Sequence, residues 1–213
     1  ANTATVFWNK PENANADTVY EVSLDGGHSV HTNRTHYTFT ELIPNTEYCV
    51  TVYNIGSIRI CTSPARHRIY VTEEPYNAVG DGKTLNTAAL QQAFTDCGPN
   101  DEVYFPAGIY LTGALNLHSC MAVYLEKDAV LQGSSDPTDY LPRIWSRFEG
   151  TEQECYRSLL NAGQLDHTAG ANCENILLYG KGTISGGGHV LAERMIDIER
   201  ENLREYLAQN AAL

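Results

Sequence analysis

The chain has 213 residues, 42% apolar and 19% charged, with a formal net charge of -12, enough to bury the core of one domain or two. That acidity argues against nucleic acid, whose phosphates need a basic surface, and no run approaches the roughly 18 apolar residues of a membrane helix. An anionic sugar polymer stays open as a partner, because screening over about 8 Å lets a local basic patch act apart from distant acidic surface.

From Thr5 to about Thr72 short alternating segments read as antiparallel strands: TVFWNKP, TVYEVSLDGG, HYTFTELIP, TEYCVTVYNIG and IRICTS. Asp25-Gly26-Gly27 is hairpin chemistry, and period-two alternation puts Tyr20, Val22 and Leu24 on one face and Tyr48, Val50 and Val52 on another. The expectation is a β-sandwich. Histidines 28, 31 and 36 are either solvated loop residues, the plainer reading, or a metal site. None of the six cysteines forms a C-x-x-C pair, so Cys97, Cys120 and Cys173 read as buried thiols before zinc ligands.

The stretch NAVGDGKTLNT imitates a phosphate-binding loop, but five residues before Gly82 stands Asn77, not the required glycine. GKGTISG likewise misses the dinucleotide spacing, so no nucleotide or other cofactor is implied. Gly80 and Gly82 instead shape a turn into a short helix that Asn86 N-caps. It should run to about Asp96, with Leu90, Ala93 and Phe94 on one face and Gly98 past its end.

Beyond it, EVYFPAG, IYLTG, ALNLHS, AVYLEKD and AVLQGS follow one another almost without helix, and then the order recurs. Aligning CMAVYLEKDAVLQG with CENILLYGKGTISG at an offset of 53 matches Cys120 to Cys173, Val123 to Ile176, Leu125 to Leu178, Leu131 to Ile184 and Gly133 to Gly186. GALNL and SLLNA match at a shorter offset. Short strands, tight corners and variable insertions point to a chain wound into a parallel β-helix, with Cys120 and Cys173 neighbours in one ladder. The competing antiparallel sandwich would need reversing loops that are not evident.

The insertion from Ser134 to Arg157 carries Trp145, Phe148 and arginines 143, 147 and 157, a composition suited to sugar rings and carboxylates. Alternatively it folds on itself, its arginines paired to Glu149, Glu152 and Glu154. Near the C-terminus, Leu191, Met195 and Ile198, then Leu203 and Leu207, are spaced as one face of a helix.

Two resemblances emerge from these segments. LIPNTEYCVTV resembles the fibronectin type III pattern, in which Tyr48 would be the corner tyrosine and Trp8 the core tryptophan. Residues 1–74 would form such a module, lacking its first strand. YNAVGDGKTLNTAALQQAF, VYFPAGIYLTGALNLHS, VYLEKDAVLQGSSDPTDYLP, SRFEG and NILLYGKGTISGGG together resemble the start of the polygalacturonases of glycoside hydrolase family 28. The pairing of the two modules is similar to the exo-acting bacterial members. The resemblance implies that 75–213 begins a right-handed parallel β-helix with a short capping helix, in a protein that is all-β overall and hydrolyses α-1,4 galacturonan with inversion.

The family's catalytic N-x-D, D-D, G-H-G and R-x-K motifs do not occur in the segments that carry the resemblance; Asp166-His167 and GGHV are departures from them. No catalytic residue is carried over, no metal is implied, and the chain alone is expected to be inactive, its partners being a pectic oligosaccharide and the missing remainder of the coil. Arg147, for a galacturonate carboxylate, and Glu149, for hydroxyls, are the expected sugar contacts. Rival readings are a pectin lyase or rhamnogalacturonan hydrolase on the same coil, or a non-catalytic polysaccharide-binding β-helix of adhesin or tailspike type. A polymeric substrate leans toward export, with the cytoplasm left open.

Overall fold

In a computed structural model, which describes residues 2–27, 29–164 and 172–210, the chain divides into two units, Ala1–Arg66 and His67–Leu213. The first unit starts from hairpin chemistry. Asp25 (φ 50°) and Gly26 (φ 68°) both take positive φ, the requirement of a tight two-residue turn between β2 (Tyr20–Leu24) and β3 (Ser29–Thr32). The Asp25 carboxylate then accepts from the backbone N–H of Cys49 at 2.6 Å. β1 (Ala4–Phe7) pairs antiparallel with β4 (His36–Phe39), while β5 (Glu47–Val52) and β6 (Gly56–Cys61) complete a second antiparallel sheet in the order β3-β2-β5-β6. Alternation buries Tyr20, Val22, Val50 and Val52 with Phe39 and Leu42.

Trp8 lies just beyond β1 and meets Tyr20 edge-on at 5.4 Å. The Tyr48 hydroxyl accepts from the backbone N–H of Ile43 at 2.8 Å, tying the approach to β5 to the strand itself. His31 and His36 are exposed on strands of different sheets, and His28 lies outside the described residues.

The second unit opens earlier than position 75. β7 (His67–Tyr70) pairs in parallel with β9 (Asp101–Phe105), from His67 opposite Asp101 to Tyr70 opposite Tyr104. A four-residue alternating segment looks the same in either kind of sheet, and only its partner decides where it belongs.

From there the chain winds. After β8 (Asp81–Leu85) and α1 (Thr87–Asp96), the strands β9, β10 (Gly108–Thr112) and β11 (Leu115–Leu117) are followed by β12 (Ala122–Leu125) and β13 (Ala129–Gly133). The insertion carries a 3-10 turn (Pro137–Tyr140) and a hairpin of β14 (Ile144–Phe148) and β15 (Thr151–Cys155). β16 (Leu160–Ala162), β17 (Leu177–Gly180), β18 (Thr183–Ser185) and the helix α2 (Gly188–Asn210) complete the order.

Apart from the insertion hairpin, every pairing in this unit is parallel, in three sheets ordered β7-β9-β12-β17, β8-β10-β13-β18 and β11-β16. Each circuit therefore rests on the one before it. Val103 and Val123, or Tyr110 and Leu131, stack at matched register with at most 1% exposure. α1 adds Leu90, Ala93 and Phe94 to the same core.

The register corrects the ungapped repeat in one place. β13 and β18 do pair at the expected offset of 53, and β11 and β16 at 45, but β12 and β17 pair at 55: Val123 faces Leu178, not Ile176, and Leu125 faces Gly180. The corner after β17 is two residues shorter than that after β12. It fits because Gly180 runs at φ 121° against the Leu125 carbonyl, where any Cβ would collide.

Cys120 and Cys173 are consequently not ladder equivalents. Cys120 (φ 63°) is matched by Asn175 (φ 55°), whose amide lies 3.9 Å from its sulfur, and Cys173 sits beside Ser119. Cys97 is buried, whereas Cys120 and Cys173 are half-buried.

Asn86 occupies the N-cap position of α1 without capping it. Its side chain instead accepts from Val79 N–H at 2.7 Å and donates to the carbonyls of Val79 and Thr84, closing the turn that holds Gly80 and Gly82. On the outer face of the sheet β7-β9-β12-β17, Tyr70, Tyr104, Tyr124 and Tyr179 form a run of ring contacts. Arg68 lies over Tyr104 and is paired at 2.8 Å with the nearly buried Glu102.

α2 departs from the expected single face. Leu191, Met195 and Ile198 are half-buried, whereas Leu203 and Leu207 are each 57% exposed. At 3.6 residues per turn, position 203 lies about 120° around the helix from 191, so the two groups are separate stripes. No described helix is long and apolar enough to cross a membrane.

Candidate functional site

Two features of the coil converge on one flank. The insertion leaves at the corner after β13, and α2 leaves at the matching corner after β18, so both are built onto the same edge. They also hold one another: Arg143 pairs with Glu199, and Arg194 donates to the Ser135 carbonyl at 2.9 Å.

The insertion is seated close to the coil. The Asp139 carbonyl accepts from Ala114 N–H at 3.0 Å, an approach that leaves no room for a Cβ at Gly113. The Tyr140 hydroxyl, buried, donates to the Ser134 carbonyl at 2.7 Å. Burial, reinforced by the Asp139 charge, pushes the Tyr140 phenol up to about 12.

Beside this edge lies the two-stranded sheet β11-β16, where Leu115 and Leu160 face inward and Asn116 and Asn161 stand opposite each other on the outer face. A cavity of about 470 Å³ runs along it, lined among others by Asn116, His118, Ser119, Asn161, Gln164 and Asn172. Its polar groups are held in place. Asn161 donates to the carbonyls of Leu115 and Ser158 at 3.0 and 2.7 Å, and Gln91 of α1 exchanges two hydrogen bonds with the backbone of Asn116. The two ring nitrogens of His118 lie 2.8 Å from the Phe94 carbonyl and 2.9 Å from that of Ser119.

Arg157, half-buried at the end of the insertion, donates through Nη2 to the Asn116 side-chain oxygen at 2.5 Å. The described lining thus offers amides, an imidazole and a neighbouring guanidinium but no carboxylate. Such a set can orient a polar or anionic ligand; it cannot supply the acid and base of a glycosidase.

The expected sugar contacts lie on the hairpin rather than in this cavity. Arg147 of β14 stands directly opposite Glu152 of β15 and pairs with it at 2.8 Å, and this hydrogen bond holds the Glu152 carboxyl below the usual range. Glu149 (φ 47°) precedes Gly150 (φ 85°) at the exposed hairpin turn. Trp145 is 60% exposed. Asp166-His167 lies outside the described residues. The alternative pairing of the arginines within the insertion holds for Arg147 alone; Arg143 reaches α2 and Arg157 reaches Asn116. The asparagine pair had a sequence signal, since GALNL and SLLNA carry Asn116 and Asn161 at the same place in the repeat.

A coil of parallel circuits with a polar cleft beside an insertion is the architecture these residues define, and the likenesses to known proteins agree with it. No protein-family model matches the chain. Over 113 residues, 53% of its length, it is 41% identical to an exo-poly-alpha-D-galacturonosidase of Dickeya chrysanthemi. Over 145 residues, 63% of its length, it is 31% identical to a probable polygalacturonase of Vitis vinifera. These matches span only 19% and 28% of the two relatives. Among solved structures, the family 28 exopolygalacturonase of Yersinia enterocolitica matches 87% of this chain and 39% of its own, with a TM-score of 0.72 and 27% identity. The chain is therefore mostly β, similar to a family 28 exopolygalacturonase, and related in sequence to polygalacturonases over part of their length.

Proposed function

We propose that the chain is the N-terminal portion of a pectin-degrading exo-polygalacturonase whose complete polypeptide hydrolyses α-1,4 galacturonan with inversion. The observation that carries this reading is the joint likeness in sequence and fold to proteins named as exo-acting galacturonan hydrolases. Inversion needs two carboxyl groups about 6.5–9.5 Å apart across the scissile bond. The cleft over β11 and β16 would bind sugar next to that machinery, which further circuits of the coil would supply. The 213 residues alone are expected to turn nothing over.

Exposure along the ladder supports the need for more circuits. Val123 and Leu131 are 1% exposed, yet Leu178 and Ile184, which stack on them, are 41% and 44% exposed, and β16, β17 and β18 each form the open margin of their sheet. A further right-handed circuit would cover them, as α1 covers the opposite side of β11. Glu149 at the hairpin would touch sugar hydroxyls at the rim; Arg147, already paired with Glu152, would reach a sugar carboxylate only by exchanging that partner. The first unit would be a fibronectin type III-like accessory module, a reading supported by its two antiparallel sheets and the Tyr48 hydrogen bond to Ile43.

Incubating the complete polypeptide with polygalacturonate tests the reading. Reducing ends without ultraviolet-absorbing unsaturated product are expected, and none from the 213-residue chain alone. Unsaturated product would place the protein with the lyases, binding without turnover would make it a tailspike-like polysaccharide binder, and hydrolysis by the 213 residues unaided would overturn the division of labour.

A further inference from the structure

We infer that Arg157 is the carboxylate-recognising residue of the cleft over β11 and β16, selecting an acidic sugar ring over its neutral counterpart. The inference rests on the reading of that cleft as a galacturonan site and adds the residue that reads the charge.

The described arginines differ in what occupies them. Arg68, Arg143, Arg147, Arg200 and Arg204 each pair with a carboxylate of the chain itself. Arg157 has no acidic partner among the described residues. Its Nη2 is instead engaged by the neutral side-chain oxygen of Asn116, which lines the cavity.

A guanidinium offers five N–H donors in a planar fork, and one neutral acceptor leaves that fork able to take a carboxylate through two parallel bonds. The arrangement is already fixed before a ligand arrives. The Arg157 backbone N–H donates to the Tyr140 carbonyl at 3.2 Å, Tyr140 is itself buried, and Asn116 is held by Gln91. Little side-chain entropy remains to be lost on binding, which favours affinity. The asparagines beside it suit the hydroxyls of a sugar, so one end of the cleft reads charge while its floor reads hydroxyl geometry. In a protein of net charge -12, a local cation at the cleft also lowers the repulsion that a polyanion meets there.

Calorimetric titration of the 213-residue chain with α-1,4-trigalacturonate and with its fully methyl-esterified form tests the assignment. The acid is expected to bind at least about tenfold more tightly than the ester, as one charge-assisted two-point contact implies. Arg157→Gln should lower affinity for the acid by a similar factor, leave the ester within about twofold, and so abolish the preference; Arg157→Lys should keep part of it. Arg204→Gln, which removes the same charge at the far end of α2, should change neither by more than about twofold. Circular dichroism and the thermal midpoint of each variant show whether the fold is kept. If Arg157→Gln is folded and still prefers the acid, the carboxylate is read elsewhere and only this inference falls. If the unaltered chain binds neither trimer, the cleft is no galacturonan site, and the reading of the cleft falls together with the inference.

Discussion

At Tyr140 one side chain fastens the start of the insertion to the coil. Its hydroxyl closes on the Ser134 carbonyl inside the fold, and Ser134 in turn donates to Asp139 at 2.5 Å, so the 3-10 turn is fastened to the corner after β13. Burial, which penalises the charged form, pushes the phenol up from the ordinary value of about 10 to about 12. A raised value in the folded state means that this contribution is intact below about pH 10 and is lost as the pH climbs toward 12. Tyr140→Phe should therefore cost about 1 kcal/mol at neutral pH through the missing hydrogen bond, and should flatten the alkaline decline of stability between about pH 10 and 12. Urea unfolding across that range checks both; a decline unchanged by the substitution would assign it to another group. Such roles were not legible in the sequence, where Tyr140 is one of 13 tyrosines and nothing marks which of them is buried. Asn86 teaches the same lesson: its type and place predicted a helix cap, and proximity to Val79, created by the turn between them, offered its amide better partners.

Among the elements, α2 has a packed end and a bare one. Its first half is tied to the insertion through Arg194 and Glu199, whereas Leu203, Tyr206 and Leu207 stand 57–63% exposed. Leu191→Asp should destabilise the second unit by about 1–2 kcal/mol, while Leu203→Glu and Leu207→Glu should stay within about 0.5 kcal/mol, measured by chemical denaturation. The opposite order would mean that the helix packs through its other stripe. The helical period was readable from spacing alone, but the existence of two stripes was hidden because the last leucines follow a five-residue step that breaks the i, i+3, i+4 pattern. A related limit applies to the strands. Circuits at offsets of 45 and 53 could be read by direct alignment, and the offset of 55 could not, since a corner shortened by two residues shifts register without changing the apolar look of β17.

For the molecule as a whole, protection of the second unit should fall along the coil axis. Amides of β9, β10 and β12 have a circuit on either side, whereas those of β16, β17 and β18 have one on only one side. Hydrogen exchange in the 213-residue chain should be slow in the former and markedly faster in the latter, and a polypeptide continuing beyond Leu213 should protect β17 and β18 as well. Covering Leu178 and Ile184 would add roughly 1–2 kcal/mol each. Uniform protection through β18 in the shorter chain would show that the upper circuit needs no cover.

By itself the sequence determined the repeating strands, the helix from Thr87 to Asp96 with its buried Leu90, Ala93 and Phe94, and the tight turn at Asp25-Gly26, because apolar period and glycine stereochemistry act locally. Only the tertiary structure decided that His67–Tyr70 belongs to the coil, that Asn175 and not Cys173 stands over Cys120, and that Arg147 is paired to Glu152 while Arg157 meets a neutral amide. Those outcomes depend on which distant segments become neighbours once each circuit settles on the last, and no local pattern of residues encodes that choice.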